Sequence, residues 1–198
     1  YKSKSVGTLA EITCTSFFPA KPLGCYGDGG ALFTDSDVYK ECIVSSRVHG
    51  QGKHKYENIR LGLTGRLDSI QAAVLLQKLT IFKEEIKKRQ SIASRYHALL
   101  KDNVLTPVVP EGYTSVWAQY TIKVKNRDGL QKRLSAHNIP TVIYYPIPLS
   151  HQKAYQDYPS TPIPTTIALS HEVLSLPMHP YLTEEIQDYI CYHLIINL

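Results

Sequence analysis

A single amphipathic pattern runs without proline or glycine over residues 67–100. Its apolar residues recur at intervals of three, four and seven, which places them on one face of a helix. These residues are Leu67, Ile70, Val74, Ile81, Phe82, Ile86, Ala93, Tyr96 and Leu100. At 1.5 Å per residue such a helix is about 50 Å long. A helix of that length usually connects two lobes, so the sequence predicts a chain in two parts.

Two strands and a short helix are predicted ahead of the long helix. Threonine, isoleucine and phenylalanine favour a strand over Ile12–Phe18, and a second strand fits Ala31–Thr34. Ser36 or the aspartate before it can cap a helix that ends near Ser46. Residues 50–62 hold three glycines and no apolar period, so we expect a loop there.

A β-α-β run is predicted after the long helix. Residues Ala118–Lys125 alternate like a half-buried strand, a helix fits Asp128–His137, and Thr141–Tyr145 completes the run as a strand. Five prolines over residues 146–164 then impose an irregular segment. A last helix fits Glu184–Ile196, behind a capping threonine. The predicted fold class is therefore α/β or α+β.

The composition fits a folded globular protein and excludes several classes. Of 198 residues, 43% are hydrophobic and 20% are charged, and no apolar run approaches the ~20 residues that a membrane span needs. The formal charge of +5 fits an anionic small-molecule partner and is too diffuse to indicate nucleic-acid binding. The four cysteines lack zinc-site spacing, and no third ligand joins His49 and His54. We therefore expect free thiols and no metal site.

The chain begins with Tyr1, and its sole methionine is Met178. We therefore expect these residues to be part of a longer protein. Nothing near the first residue has the basic, apolar and small-residue regions of a signal peptide. Any function that depends on other segments would then belong to the longer protein.

The segment with the most evident chemistry surrounds Lys21. Prolines at 19 and 22 restrict the backbone on both sides of this lysine, and four glycines lie between residues 24 and 30. The segment is not a P-loop, because the lysine precedes the glycines, and not a dinucleotide motif, because a strand follows them. Two interpretations stay open: a lysine that condenses with a carbonyl cofactor, and a solvated surface charge.

Four ordered segments closely resemble the DegT/DnrJ/EryC1/StrS sugar aminotransferases, which are pyridoxal-phosphate enzymes of the aspartate-aminotransferase fold. The segments are residues 13–31 (apart from Cys25), 62–73, 139–149 and 174–180. Together they cover much of the chain in the family's order. The resemblance implies an α/β chain that forms the C-terminal portion of such an enzyme.

The resemblance also implies a domain organisation. Residues 1–65 would be the end of the large cofactor-binding domain, including the Schiff-base lysine. Residues 66–103 would form the connecting helix, and residues 104–198 would form the small C-terminal domain.

Three residues are implied to bind the cofactor. Lys21 falls on the family's cofactor lysine, which forms a Schiff base with pyridoxal phosphate and carries a proton during the reaction. Ser16 matches the hydroxyl that binds the cofactor phosphate; the alternative is a strand-end hydroxyl bonded to backbone. Thr64 stands where the family usually has an asparagine that reaches the cofactor phosphate of the neighbouring subunit. That contact is either weaker here or made by backbone.

Five further residues are implied to bind substrate: Arg66, Tyr144, Tyr145, His49 and Tyr56. The Arg66 guanidinium suits a diphosphate or a carboxylate, and pairing with the aspartate two residues on is the structural alternative. The tyrosine pair matches residues that approach the sugar, where relatives often have histidine first; both are otherwise strand-end aromatics. His49 and Tyr56 match a loop that relatives use near the partner subunit's site.

Within the family, the resemblance is closest to enzymes that aminate UDP-2-acetamido-2-deoxy-3-keto-hexuronic acid for bacterial surface polysaccharide, including lipopolysaccharide. It implies glutamate as amino donor, a homodimer with shared active sites and a cytoplasmic location, without nucleic-acid or membrane partners. A non-catalytic or truncated homologue with a binding or regulatory role is the alternative. A dehydratase of the same family, in which histidine replaces the lysine, is disfavoured by Lys21.

Two parts of the family's active site have no counterpart in these residues. They are the aspartate that pairs with the pyridine nitrogen and the side chain that stacks on the ring, and both precede the lysine segment in the family. Without that aspartate the ring is a poor electron sink. We therefore expect the 198 residues by themselves to be inactive and to depend on further segments for stability.

Overall fold

The computed structural model describes residues 1–198, which divide into two compact units. Unit 1 comprises residues 1–83 with residues 110–114, and unit 2 comprises residues 84–109 with residues 115–198. The division falls inside the long helix, between Lys83 and Glu84. No helix of the chain combines the length and the apolarity needed to cross a membrane.

Unit 1 contains a two-stranded antiparallel sheet and a short helix. Strand β1 (Thr13–Ser16) pairs with β2 (Gly30–Phe33), with Thr13 opposite Phe33 and Ser16 opposite Gly30. Both predicted strands are confirmed, although the first begins one residue later and ends two residues earlier than predicted. Helix α1 (Asp37–Ser46) follows, and the Ser36 hydroxyl caps it by accepting a hydrogen bond from the Tyr39 backbone N–H at 3.4 Å.

The predicted long helix is confirmed as α2 (Ser69–Leu100), which has 32 residues and is therefore about 48 Å long. Its last turns carry Tyr96 and Leu100, both fully buried in unit 2. Its first turns belong to unit 1 and bury Leu75. One helix thus contributes to both units.

The sheet of unit 2 differs from the predicted β-α-β run. Strand β3 (Tyr120–Lys123) pairs antiparallel with β4 (Val173–Leu176), a strand that the periodicity did not predict. The expected strand over Thr141–Tyr145 is wrong: only Val142 pairs, through a single antiparallel bridge to Ser175. Prolines at both ends of that segment lack the N–H that a ladder needs, so pairing does not extend.

Three further helices complete unit 2. Helix α3 (Arg127–Ala136) matches its prediction within a residue, and α5 (Glu184–Ile196) matches its own. The Thr183 hydroxyl caps α5 by accepting from the Ile186 backbone N–H at 3.3 Å. Helix α4 (Pro164–Glu172) was not predicted, because the five prolines indicate irregular structure, whereas Pro164 stands at the first helical position and begins the helix.

The proline-rich segment ahead of α4 holds two short 3-10 turns, Leu149–His151 and Lys153–Tyr155. All side chains over residues 151–162 are exposed. The prediction of irregular structure is therefore correct up to the start of α4.

The core of unit 2 is continuous and apolar. It joins α2, β3, α3, β4 and α5 through the fully buried residues Tyr96, Leu100, Tyr120, Ile122, Leu130, Leu134, Leu174 and Leu194. Burial of each large side chain stabilises the fold by about 1.5–3 kcal/mol. The buried Gln187 amide donates to the Ile92 carbonyl at 3.0 Å, which ties α5 to α2.

Candidate active site

Lys21 lies on the turn of residues 17–29, which connects β1 to β2. Hydrogen bonds fix the backbone of this turn. The Lys21 N–H donates to the Phe18 carbonyl at 2.8 Å. Phe17 is held on both sides, since its N–H donates to the Gly29 carbonyl and its own carbonyl accepts from Cys25, each at 2.8 Å. The Lys21 side chain is exposed and takes part in none of the hydrogen bonds or ion pairs of the chain. The turn therefore presents a free amine from a backbone held by hydrogen bonds.

Gly24 shows how tightly this turn is folded. A Cβ atom at this position would lie 2.7 Å from the Pro19 carbonyl oxygen and 2.9 Å from that of Phe18. The backbone at residue 24 therefore lies directly against the backbone of residues 18–19, and only glycine fits at position 24. The next residue, Cys25, is fully buried and its thiol donates to the Gly27 carbonyl at 3.1 Å.

Ser16 stands at the end of β1, five residues before Lys21 in the chain. Its hydroxyl oxygen accepts from the Phe18 backbone N–H at 3.2 Å. The backbone-bonded alternative is thus realised, but a hydroxyl that accepts one hydrogen bond still has its own proton to donate. Ser16 is exposed, so that proton is available to a bound anion.

The segment between α1 and α2 is an ordered loop. His49 N–H donates to the Leu63 carbonyl at 3.0 Å, Leu63 N–H to Ser46 at 2.8 Å, and Gly65 N–H to Arg47 at 2.8 Å. These bonds join residues 46–49 at the start of the loop to residues 63–65 at its end. The loop prediction for residues 50–62 is confirmed.

Two of the predicted site residues meet in this loop. The Thr64 hydroxyl lies 3.3 Å from Nε2 of His49. His49 has a left-handed backbone conformation with φ of 60°, and its carbonyl accepts from the Asn58 side-chain amide at 2.7 Å. Asn58 therefore holds the backbone of His49, a role that the sequence alone did not indicate.

Arg66 and Tyr56 are both exposed. Arg66 forms no ion pair with Asp68, so the structural alternative for this guanidinium is not realised. Tyr56 is 89% exposed, and the Lys55 ammonium lies 5.5 Å from the centroid of its ring. Neither side chain supports the packing of unit 1, which leaves both free for a ligand.

Unit 2 carries the predicted tyrosine pair. The rings of Tyr144 and Tyr145 meet edge to face with centroids 5.4 Å apart, and the peptide bond between the two residues is cis. They line a cavity of about 550 Å³ together with Leu169 and Val173. Tyr145 is 69% exposed, so its ring and hydroxyl are accessible.

Two side chains of α2 contact the Lys21 turn and were missed in the sequence. Lys78 donates to the Gly24 carbonyl at 2.9 Å, and the Gln71 amide lies against Gly27. Residues 71 and 78 are seven apart, which is two helical turns on one face. That spacing was a usable signal, but nothing local to α2 identified the turn as the partner.

The structure offers no metal centre and no disulfide. No group of three or more histidine, cysteine, aspartate or glutamate side chains in residues 1–198 is placed to hold a metal ion. All four cysteines are free. The candidate side chains described above offer an amine, hydroxyls, a guanidinium, an imidazole and phenols.

Comparison with known proteins gives consistent results. The model of the DegT/DnrJ/EryC1/StrS aminotransferase family matches residues 1–195. The UDP-2-acetamido-2-deoxy-3-oxo-D-glucuronate aminotransferase of Pseudomonas aeruginosa is 46% identical over 192 residues, which cover 96% of this chain and 53% of that protein.

Two solved structures show the same fold. An aminotransferase of this family from Brucella abortus superposes with a TM-score of 0.95 at 48% identity, over 98% of this chain and 52% of that one. NtdA of Bacillus subtilis, with bound cofactor PMP, superposes with a TM-score of 0.85 at 28% identity, over 98% and 48%. The chain spans about half the length of the curated relatives it matches. Because the family model covers nearly all of its residues, the chain belongs to the DegT/DnrJ/EryC1/StrS aminotransferase family.

Proposed function

We propose that the protein containing these residues is a pyridoxal-phosphate-dependent aminotransferase that acts on a nucleotide-linked keto-sugar. The observation that carries the proposal is the free Lys21 amine on a hydrogen-bonded turn, in a segment that matches the family. Aminotransferases of this family depend on pyridoxal phosphate, and NtdA contains the cofactor PMP.

The residues present fit this cofactor. An unpaired amine suits its aldehyde, and a hydroxyl with a free proton at Ser16 suits its phosphate. The Thr64 hydroxyl lies 3.3 Å from Nε2 of His49 and is a second donor for a phosphate in the tautomer in which Nε2 carries the proton and donates to Thr64. When bound, the cofactor supplies the electron sink for the carbanion that forms when the substrate loses a proton.

The chain's own side chains then have distinct tasks. Lys21 holds the cofactor and moves a proton at Nζ between the amino-bearing carbon and the cofactor. Ser16 donates to the phosphate and fixes its position. Arg66 offers the planar pair of donors that suits a diphosphate or a carboxylate, and no intramolecular ion pair competes for it.

We assign the substrate as UDP-2-acetamido-2-deoxy-3-keto-hexuronic acid, with glutamate as amino donor. The support for the sugar is the name of the 46% identical relative, a UDP-2-acetamido-2-deoxy-3-oxo-D-glucuronate aminotransferase. Tyr144 and Tyr145 would contact the sugar. His49 and Tyr56 would act near the site of a partner subunit in a cytoplasmic homodimer, within surface-polysaccharide synthesis.

The proposal is tested on the complete protein by reducing it with borohydride after adding pyridoxal phosphate. We expect the cofactor to be found covalently attached to the Lys21 peptide by mass spectrometry. Lys21→Ala should lose the adduct and lower the release of 2-oxoglutarate from glutamate by at least about a thousandfold, because the group that forms the bond and moves the proton is gone.

Lys83→Ala is the control, because Lys83 is an exposed lysine of α2. It should retain both the adduct and the activity. An adduct on another lysine, or full activity in Lys21→Ala, would contradict the proposed role. An adduct on Lys21 without any amino transfer would instead support the non-catalytic alternative.

A further inference from the structure

One face of α2 lies against the turn that carries Lys21. Leu67 just before the helix, and Gln71, Leu75 and Lys78 within it, follow helical spacing and fall on the same side. Leu75 is buried, and Lys78 is half-buried in spite of its charge. A half-buried lysine requires a partner that compensates for lost water.

Lys78 has two such partners, both on the turn. Its ammonium donates to the Gly24 carbonyl at 2.9 Å, and the same nitrogen lies 5.0 Å from the centroid of the Tyr26 ring. A hydrogen bond from a charged donor is about twice as strong as a neutral one, and a cation over an aromatic face adds to it. One side chain thus holds two residues of the turn.

The rest of the turn is fitted to the same helix face. A Cβ on Gly27 would lie 3.0 Å from the Gln71 amide nitrogen, and a Cβ on Gly29 would lie 3.0 Å from a Leu67 methyl carbon. The backbone therefore approaches α2 at Gly27 and the residue just before α2 at Gly29. Lys78 donates a hydrogen bond to the turn, whereas Gln71 and Leu67 contact its glycines by packing.

The position of Gly24 is coupled to that of Lys21 through the backbone. Gly24 fits under the Phe18 carbonyl with no room for a Cβ, and that carbonyl accepts the Lys21 N–H at 2.8 Å. Cys25, the next residue, donates its N–H to the Phe17 carbonyl at 2.8 Å, so a displacement of Gly24 is transmitted to the segment whose Phe18 carbonyl fixes Lys21.

We propose that Lys78 is a positioning residue for Lys21: it clamps the turn to α2 through Gly24 and Tyr26 and so sets the direction in which the Lys21 amine approaches its aldehyde partner. The inference rests on the proposed function only in that Lys21 is the residue that reacts with the cofactor. It adds a residue outside the cofactor's contacts that controls how fast this reaction occurs.

Three substitutions of Lys78 differ in how much of its contact with Gly24 and Tyr26 they keep. Lys78→Arg keeps a charged donor for both partners. Lys78→Gln keeps a donor for the carbonyl but loses the charge over the ring. Lys78→Met keeps the apolar length of the side chain and loses both interactions, so it isolates the polar contacts from the packing.

The experiment measures the rate at which Lys21 of the cofactor-free complete protein captures pyridoxal phosphate. Borohydride stops the reaction at set times, and the fraction of modified Lys21 peptide is read by mass spectrometry. We expect Lys78→Met to slow the capture by about tenfold or more, Lys78→Gln to be intermediate and Lys78→Arg to remain within about threefold of wild type, since small misplacements of reacting groups have large effects on rate. Lys83→Met, on the exposed side of the same helix, should stay within about twofold.

A second measurement separates positioning from general stability. The thermal midpoint of the cofactor-free Lys78→Met protein should lie within a few degrees of that of Lys83→Met. Capture at the wild-type rate in Lys78→Met overturns the inference and leaves the proposed function standing. A large fall in thermal midpoint that Lys78→Arg does not restore also overturns it, because the effect is then structural. Failure of the wild-type protein to modify Lys21 overturns the proposed function itself.

Discussion

At the scale of single residues, the candidate site combines groups that the sequence identified with groups that only the folded chain reveals. Lys21, Ser16 and Thr64 were predicted from a resemblance, and each side chain is exposed. The contacts between the predicted residues, and the role of Asn58, were not predicted. Asn58 fixes the backbone of His49, and His49 in turn contacts the Thr64 hydroxyl at 3.3 Å. These contacts depend on the conformation of the loop, which no periodic pattern in the sequence specifies.

Thr64 gives a prediction about cofactor affinity. In the complete protein, Thr64→Val should weaken the binding of pyridoxal phosphate by about tenfold, because it removes a hydroxyl that can donate to the phosphate, an effect worth about 1.4 kcal/mol. Thr64→Asn should retain the affinity, since an amide offers a donor with longer reach. Titration of the cofactor absorbance gives the dissociation constants.

Thr80→Val is the matched control for that substitution. Its hydroxyl lies on α2 and donates to the Gln77 carbonyl at 2.7 Å, so its loss leaves the candidate site untouched. Equal affinities in Thr64→Val and Thr80→Val would remove Thr64 from the cofactor site.

At the scale of elements, the core of unit 2 brings three weak acids together. Helix α2 contributes Tyr96, β3 contributes Tyr120 and α5 contributes Cys191; the two tyrosine rings lie 5.0 Å apart. Burial raises the pKa of Tyr96, raises the pKa of Tyr120 to about 12, and raises the pKa of the Cys191 thiol to about 12, with nearby Asp188 adding to the last shift. The packing of these elements therefore requires neutral side chains.

The raised pKa of Cys191 predicts alkaline sensitivity. Above pH ~9 the thiol ionises in the unfolded chain, whereas the folded chain keeps its proton up to pH about 12. The unfolded state then binds fewer protons, so the free energy of unfolding falls as pH rises through this window, by about 1.4 kcal/mol per pH unit for each proton. Urea unfolding at several pH values between 8 and 10 gives the slope.

Cys191→Ala supplies the comparison for this slope. It removes one ionising group from the unfolded state, so the stability of the variant should decrease less steeply over the same pH range. Parallel pH profiles for the variant and the wild type would show that the thiol does not contribute.

The elements also show what the sequence can and cannot predict. Periodicity located α2, α3 and α5 because each carries several turns of apolar residues on one face. It missed β4, since four residues directly after a helix are too few to show an alternation, and it wrongly extended the pairing of Val142 into a strand. Contacts such as Lys78 with Gly24, 54 residues apart, depend on the completed fold and have no local signal.

At the scale of the whole molecule, the two units differ in how much apolar surface they bury. The sixteen residues of the buried cluster lie in unit 2. In unit 1 the buried apolar residues are Cys25 and Leu75, while Leu32 and Phe33 of β2 are 52% and 49% exposed. A two-stranded sheet without a covered face is only marginally stable in water.

This difference predicts unequal hydrogen exchange in the 198-residue chain. Amides of β1 and β2 should exchange at least about a hundredfold faster than those of β3 and β4, because local opening in unit 1 exposes little apolar surface. Exchange followed by peptide mass spectrometry measures both sheets in one sample.

The complete protein is the control for that measurement, where we expect additional segments to cover β2 and slow its exchange. Equal protection of the two sheets in the 198-residue chain would refute the predicted inequality and the expectation that unit 1 needs further segments.

The exposed stretch over residues 151–162 has a consequence for how this protein can vary. None of its side chains is buried, so the core of unit 2 does not depend on which amino acids stand there. The entropy of closing a loop grows only slowly with its length, which makes longer versions of this stretch tolerable. Natural divergence and epitope insertion alike should therefore concentrate at this point of the chain, where new recognition surface is gained without loss of folding.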